Sequence, residues 1–314
     1  MIVVLAGGVG AARFLRGLAQ VVDNDRIVTV VNTADDTEMH GLSISPDIDT
    51  VTYTLADAID PTRGWGLRDE TWRAMESLDR FDAVRPRGSS AGMRWFNLGD
   101  QDLATHFYRT ARLREGATLA TVTDEVRRAF GVAVRIVPMS NDPVRTLVHL
   151  ADGPVPFQEY FVKLRHGVAV TGVEFDGAAT ARFIDDTLLR DAETIVIAPS
   201  NPIVSIGPVR SLGGVDGQLA AARDRVVAVS PIVAGAALKG PADRMLIELG
   251  HEPSVVGVAR MYRDICGTLV IDERDAGHRD EIESLGMRCV VTDTVMSDPD
   301  VSARLARTTI DAAH

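Results

Sequence analysis

Ile2-Val-Val-Leu-Ala-Gly-Gly-Val-Gly-Ala-Ala-Arg13 is an apolar run that ends in three glycines, the pattern by which a buried strand hands over to a helix. Gly7, Gly8 and Gly10 can take positive φ and carry no Cβ, so a phosphate can approach the backbone N–H groups and the N-terminus of the helix that follows. Arg13, just beyond, stands where it could reach a substrate or serve as an ordinary surface residue. Two familiar versions of such a loop fail. A dinucleotide fingerprint needs Gly or Ala where Arg13 stands, and an acidic residue after the second strand, where Val30-Val31-Asn32 stands. A P-loop needs Gly-Lys-Ser/Thr, and no such triplet follows. The stretch therefore indicates a phosphate-bearing ligand, or a tight turn with none, without naming the ligand.

Outward from this stretch, Phe14, Leu15, Leu18 and Val22 repeat at helical spacing, and Ile27 to Val31 is a second strand-like run. The resulting β-α-β unit implies a parallel sheet. Apolar runs at 195–198 and 226–229, strands near 268–271 and 288–291, and helices near 241–249, 254–262 and from about 300 continue the pattern. The expectation is an α/β fold: a Rossmann-like three-layer parallel sheet core with an added smaller lobe. A single domain over 1–314 draws its core sheet from about 1–50 and 190–314. Helical and β segments are inserted over about 51–189, with alternating strands at 145–175. Arg85 to Gly92 reads as a flexible loop containing Ser90.

The chain has 314 residues and a net charge of -11, with no visible basic patch, which argues against a nucleic-acid partner. Cys266 and Cys289 are too few for a disulfide framework and read as small buried residues, in keeping with a reducing cytoplasm. The N-terminal apolar run leads straight into the glycines, so it is expected to be a core strand rather than a signal peptide, and nothing is expected to span a membrane.

Four loops follow strand ends and are expected to meet along one sheet edge: 7–12, 32–49, 199–208 and 230–231. The third offers Ser200, Asn201, Ser205 and Gly207 among rigid prolines, and the fourth offers Ser230, groups suited to a base, ribose or phosphate. Asp35, Asp47 and Asp49 in the second carry the hard oxygen ligands that Mg²⁺ prefers when it also binds substrate phosphates. Asp47 or Asp49 could instead cap a helix beginning near Thr50. His40, His106, Arg63 and Trp65 are further polar or aromatic candidates.

Read together, these loops resemble the 2-phospho-L-lactate transferases of coenzyme F420 biosynthesis, including the actinobacterial phosphoenolpyruvate-transferring members. The resemblance covers nearly the whole chain. It rests on the Ala6-Gly-Gly-Val-Gly-Ala-Ala-Arg-Phe-Leu15 loop, Asn32 with Asp35-Asp36, Ser45-Pro-Asp-Ile-Asp-Thr50 and Arg63-Gly-Trp-Gly66. It continues through Leu98-Gly-Asp-Gln-Asp-Leu-Ala-Thr-His106, Ala198 to Pro208 and Val229-Ser-Pro-Ile232. It implies transfer of a phospholactyl or phosphoenolpyruvyl group from a guanosine diphosphate-linked donor to the terminal ribityl hydroxyl of the deazaflavin Fo, releasing GMP. It also implies Mg²⁺ dependence and a homodimer. On this reading Asp35 and Asp49 are the first metal ligands and catalytic carboxylates, with Asp36 and Asp47 in reserve. The 7–10 and 199–208 loops take the guanine nucleotide, and Asn32, Arg63, Trp65 and His106 take the deazaflavin. Gln101 departs from the family pattern, which more often has Arg after Leu-Gly-Asp, and the 85–95 loop is longer than usual. The rival readings are a Rossmann-like oxidoreductase, which the missing fingerprint opposes, and a nucleotide-binding regulatory module, which the gathered carboxylates oppose.

Overall fold

The computed structural model describes residues 1–89 and 91–313. The N-terminal unit comprises β1 (Ile2–Ala6), α1 (Gly8–Val21) and β2 (Ile27–Val31), followed by a hairpin of β3 (Thr37–Met39) and β4 (Leu42–Ile44) and by α2 (Pro46–Leu55). Next come α3 (Arg73–Asp82), α4 (Asp100–Arg114), α5 (Leu119–Ala129), β5 (Arg135–Pro138), β6 (Arg145–Leu150), β7 (Gly153–Pro156) and β8 (Gly172–Asp176). The C-terminal half holds α6 (Thr187–Asp191), β9 (Thr194–Ile197), α7 (Gly207–Ser211), α8 (Val215–Ala221), β10 (Val226–Val229), β11 (Ile232–Val233) and β12 (Ala236–Ala237). It closes with α9 (Ala242–Glu248), α10 (Val255–Tyr262), β13 (Thr268–Asp272), α11 (Arg279–Ser284), β14 (Arg288–Thr292) and α12 (Pro299–Asp311).

Among the described residues seven strands form one sheet in the order β14-β13-β10-β9-β1-β2-β5, every pair parallel. This is the doubly wound, Rossmann-like order, and the winding reverses between β1 and β9. Side chains of β1 alternate between two cores, as a strand period of two requires. Val3 and Leu5 join the core under α8, α10 and the smaller sheet, whereas Ile2, Val4 and Ala6 pack against Phe14, Leu15 and Leu18 of α1 and Leu305 of α12. Burial on both faces explains why these strands are continuous apolar runs.

The inserted segment departs from expectation in one respect. Of residues 51–189, β5 belongs to the main sheet and pairs with β2, because a short apolar strand after a helix can be claimed by the open edge. The antiparallel sheet β7-β6-β8 is the added lobe, and Val148, Phe157 and Tyr160 attach it to the main core. In the 85–92 loop, Ser90 lies outside the described residues.

Asn32 to Thr50 is more structured than its composition indicates. It forms the β3-β4 hairpin and the start of α2, whose Pro46 begins the helix behind Ser45. Asp47 and Asp49 therefore sit within the first helical turn rather than capping a later one. Cys266 and Cys289 are buried, and burial raises their thiols to about 12 and about 11. No helix among the described residues is long and apolar enough to cross a membrane.

Candidate functional site

A cleft of about 810 Å³ opens at the carboxyl ends of β1 and β9, where the winding reverses. Its upper wall is the glycine turn. The helix α1 starts at Gly8, whose φ of +71° is the left-handed value that favours glycine, while Gly7 is extended. Gly10 lies in the first turn, where a Cβ would stand 2.2 Å from the Pro199 carbonyl oxygen. Glycine there lets the loop after β9 touch the helix. Helices α5, α10 and α12 are capped by Thr118, Ser254 and Asp298, but Gly7 offers α1 no side-chain cap. Asp47 of α2 stands against this end of α1, its carboxylate accepting from the Gly8 backbone N–H.

The floor carries two groups of carboxylates with opposite electrostatics. Asn32 is fully buried and its Nδ2 donates to Asp35 Oδ2 and Asp47 Oδ2, each at 3.0 Å. Ser45 Oγ donates to Asp36 Oδ2 at 2.7 Å. Asp35 Oδ1 and Asp36 Oδ1 are buried without a hydrogen-bond partner. Burial raises Asp35 well above the ordinary carboxylate range, and Asp47 adds to this. Burial likewise pushes Asp36 up to about 8 and Asp47 up to about 6.

The second group is compensated. Arg109, on α4 and buried, grips Asp49 of α2 with both terminal nitrogens, Nη1 donating to Oδ2 at 3.0 Å and Nη2 to Oδ1. His106 Nδ1 stands 3.2 Å from Arg109 Nη1, and its Nε2 stands 3.4 Å from Asp102 Oδ1. Tyr53 donates its hydroxyl to Asp102 at 2.6 Å. Asp49, Asp102 and His106 bring ligand atoms within 4.8 Å of one another, a spacing that suits a metal. The guanidinium already occupies the Asp49 oxygens, and the tyrosine hydroxyl engages Asp102.

A model of the family described as 2-phospho-L-lactate transferase CofD matches residues 2–307. The chain belongs to the CofD family. It is 40% identical to a phosphoenolpyruvate transferase of Streptomyces griseus over all of this chain and 98% of the relative. It is 37% identical to a 2-phospho-L-lactate transferase of Methanosarcina mazei, covering 99% of each. The fold is shared with a UPF0052 family protein of Bacillus halodurans at 14% identity, with a TM-score of 0.59 over 98% of both chains.

In this CofD-family chain Gly7, Gly8, Gly10, Arg13, Asp35, Asp47, Asp49, Trp65, His106, Ser200, Asn201, Ser205 and Ser230 all line the cleft. Three expected contacts do not. Asn32 lies beneath the floor as the bracket between Asp35 and Asp47. Arg63 bonds Leu67 O and Glu70 and packs against Trp65 and Trp72, so it supports the Trp65 wall from outside the cleft lining. Gly207 opens α7 against Phe175, behind the loop. Among the polar loop residues, Ser200 holds the Gly7 backbone, Asn201 Oδ1 accepts from Ile203 N, and Ser230 closes on Ile232. Gln101 is exposed and reaches the Arg68 carbonyl, away from the cleft wall.

Basic residues scattered along the sequence come near these carboxylates in the fold. Arg109 comes from α4, while Arg13, Arg165 and Lys239 reach the cleft from three other segments, the last three without an ion-pair partner among the described residues. Burial and the neighbouring Arg13 lower the Lys239 ammonium. Sequence reasoning missed Asp102 and Arg109, although with His106 they fall at i, i+4 and i+7, one helical face. Apolar spacing would pair Leu103 with Phe107, but Phe107 is exposed and the buried face of α4 is largely polar.

Proposed function

We propose that this chain transfers a phospholactyl or phosphoenolpyruvyl group from a guanosine diphosphate-linked donor to the deazaflavin Fo, releasing GMP, as a Mg²⁺-dependent homodimer in coenzyme F420 biosynthesis. The observation that carries the reading is the division of charge in one cleft. Asp35, with an unpartnered oxygen, and Asp47, beside the α1 N-terminus, line it, and Arg13, Arg165 and Lys239, without an ion-pair partner among the described residues, stand around the same space. A diphosphate ester bound to a divalent cation complements both kinds of wall.

Asp35 and Asp47 fit the cation best. Their oxygens are hard donors, and the orphaned Asp35 Oδ1 lacks any positive neighbour that would satisfy it. When bound, the ion offsets the charge of the diphosphate. Other residues bind and orient. The N–H groups opening α1 and the free Ser205 hydroxyl suit the guanine nucleotide's phosphates. Trp65 and Phe96 offer apolar walls for a planar ring. The terminal ribityl oxygen forms its bond to the phosphorus bearing the three-carbon acid, the bond from that phosphorus to GMP breaks, and GMP leaves with the electron pair. The hydroxyl proton passes to a floor carboxylate. Most of the acceleration comes from positioning and charge neutralisation.

Incubating the protein with Fo, Mg²⁺ and each candidate guanylyl donor, read by mass spectrometry, tests this. The expected result is one phosphodiester product per GMP. Binding of Fo and GDP with no product from the lactyl, enolpyruvyl or glyceryl donor would discard the transferase reading.

A further inference from the structure

We propose that Glu70 is a positioning residue for the acceptor: it ties the Gly64-Trp65-Gly66 turn to the N-terminus of α4 and so holds the Trp65 ring where the planar substrate stacks. The inference rests on the Fo site read above at Trp65. It goes beyond that reading by naming a residue that fixes the wall without itself lining the cleft.

Trp65 lies in a loop, so its place depends on what fixes the backbone around it. Gly64 and Gly66 on either side take φ of +77° and +68°, values that favour glycine. A bridge between Ile59 and Leu67 closes the base of the loop. The Trp65 ring is 41% exposed and lines the cleft. Behind it the Arg63 guanidinium stands 5.3 Å from the Trp65 ring centroid and 4.7 Å from that of Trp72. A cation over a ring face is attracted to it, and it keeps one position only when its own donors are met.

Glu70 meets them. Its Oε1 accepts from Arg63 Nη2 at 3.0 Å and from Leu67 N at 3.2 Å, and its side chain is fully enclosed. Asp60 Oδ2 adds a second contact to Arg63 at 3.1 Å. A Cβ on Gly66 would overlap the Glu70 Oε1, so the turn beside Trp65 packs directly on this carboxylate.

The other oxygen faces α4. Glu70 Oε2 is buried with no regular hydrogen bond and lies against Gly99, the N-cap residue, where a Cβ would overlap it. Helix α4 has no side-chain cap at Gly99, and Glu70 brings a negative charge to that end from outside the helix. The next residue repeats the tie. Thr71 N and Oγ1 donate to Asp100 Oδ1 and Oδ2 at 2.7 and 3.0 Å, and Asp100 N donates to Thr71 O at 3.0 Å. Because α4 also carries Asp102 and His106 into the cleft, Glu70 sets the aromatic wall and the polar wall in one register.

Fluorescence titration of Fo into the full chain without a guanylyl donor, and calorimetry of GDP, test this. Glu70→Ala is expected to weaken Fo about tenfold and to leave GDP within about twofold, since a loosened wall adds an ordering cost only at the ring. Trp65→Ala is expected to weaken Fo at least as much. Adding Glu70→Ala to Trp65→Ala should then cost no more than about twofold further, because a residue that acts through the ring has nothing left to position. Should Glu70→Ala fail to fold, Arg63→Ala takes its place in the same cycle with the same expected outcomes. Unchanged Fo affinity in Glu70→Ala, equal losses of Fo and GDP, or losses that multiply in the double variant would each overturn the proposal while leaving the acceptor reading intact. Parent-like Fo affinity in Trp65→Ala, or no Fo binding by the parent, would overturn the acceptor reading and the proposal with it.

Discussion

The two halves of the cleft floor are built from the same residue type and behave oppositely. Around Asn32, Asp35 is buried and Asp36 and Asp47 are half-buried beside amides and a hydroxyl, and loss of solvent shifts all three carboxyls toward the protonated form. Asp49 and Asp102 are both buried but meet a guanidinium, an imidazole and a phenol. Burial still raises Asp49, and Arg109 works against it. For Asp102 burial is outweighed by His106, Tyr53 and Arg109 together, and its carboxyl is held below the usual range. The charged or neutral neighbour of each carboxylate therefore sets the difference between the two groups.

Removing a charge from each half separates them most sharply. Asp35→Asn should cut turnover on the order of a thousandfold, since transition-state charge stabilisation by a bound ion is worth several kcal/mol. The same change removes an uncompensated buried charge, so resistance to urea should hold or rise. A variant that unfolds more easily would move Asp35 into the structural half.

Arg109→Gln should do the reverse to the fold. It leaves the Asp49 carboxylate buried and unpaired, for which the expected loss is about 3–5 kcal/mol. Removing Asp49 as well, as Asn, should recover most of that loss in urea titrations. Equal stability of the single and double variants would mean that the pair is not coupled.

The smallest effect is in pH. Free carboxyls titrate near pH ~4, whereas Asp47 stands at about 6 and Asp36 at about 8 in the fold. The native state therefore binds more protons than the unfolded chain over this interval, and the slope of stability with pH is negative. These groups stabilise fully below ~4, and their contribution is lost as pH rises through 6 and then 8. Melting without divalent cations should fall over that range, Asp36→Asn should flatten the decline, and Mn²⁺ should do the same by replacing the protons. A parent whose melting temperature rises from pH 5 to pH 8 would contradict the uncompensated state of this half.

Local pattern was enough for the parallel sheet and for the glycine turn, because strand and helix periods are written in consecutive residues: Ile2 to Ala6, then Phe14, Leu15 and Leu18. It was also enough to gather Asp35, Asp47 and Asp49 beside the phosphate-type turn, since all lie within eighteen residues of the end of β2. What the pattern did not hold was the neighbour of each. Arg109 is 60 positions from Asp49, and Asn32 is 172 from Val204, whose carbonyl it also meets. Arg63 shows the same limit, because its place against Trp65 and Trp72 depends on how the 56–72 loop folds back. Sequence alone determined the sheet, the turn and the supply of acids. Only the tertiary structure decided which acid is neutralised, because Coulomb energy and burial depend on distance in space, and helix α4 brings its one buried cation to Asp49.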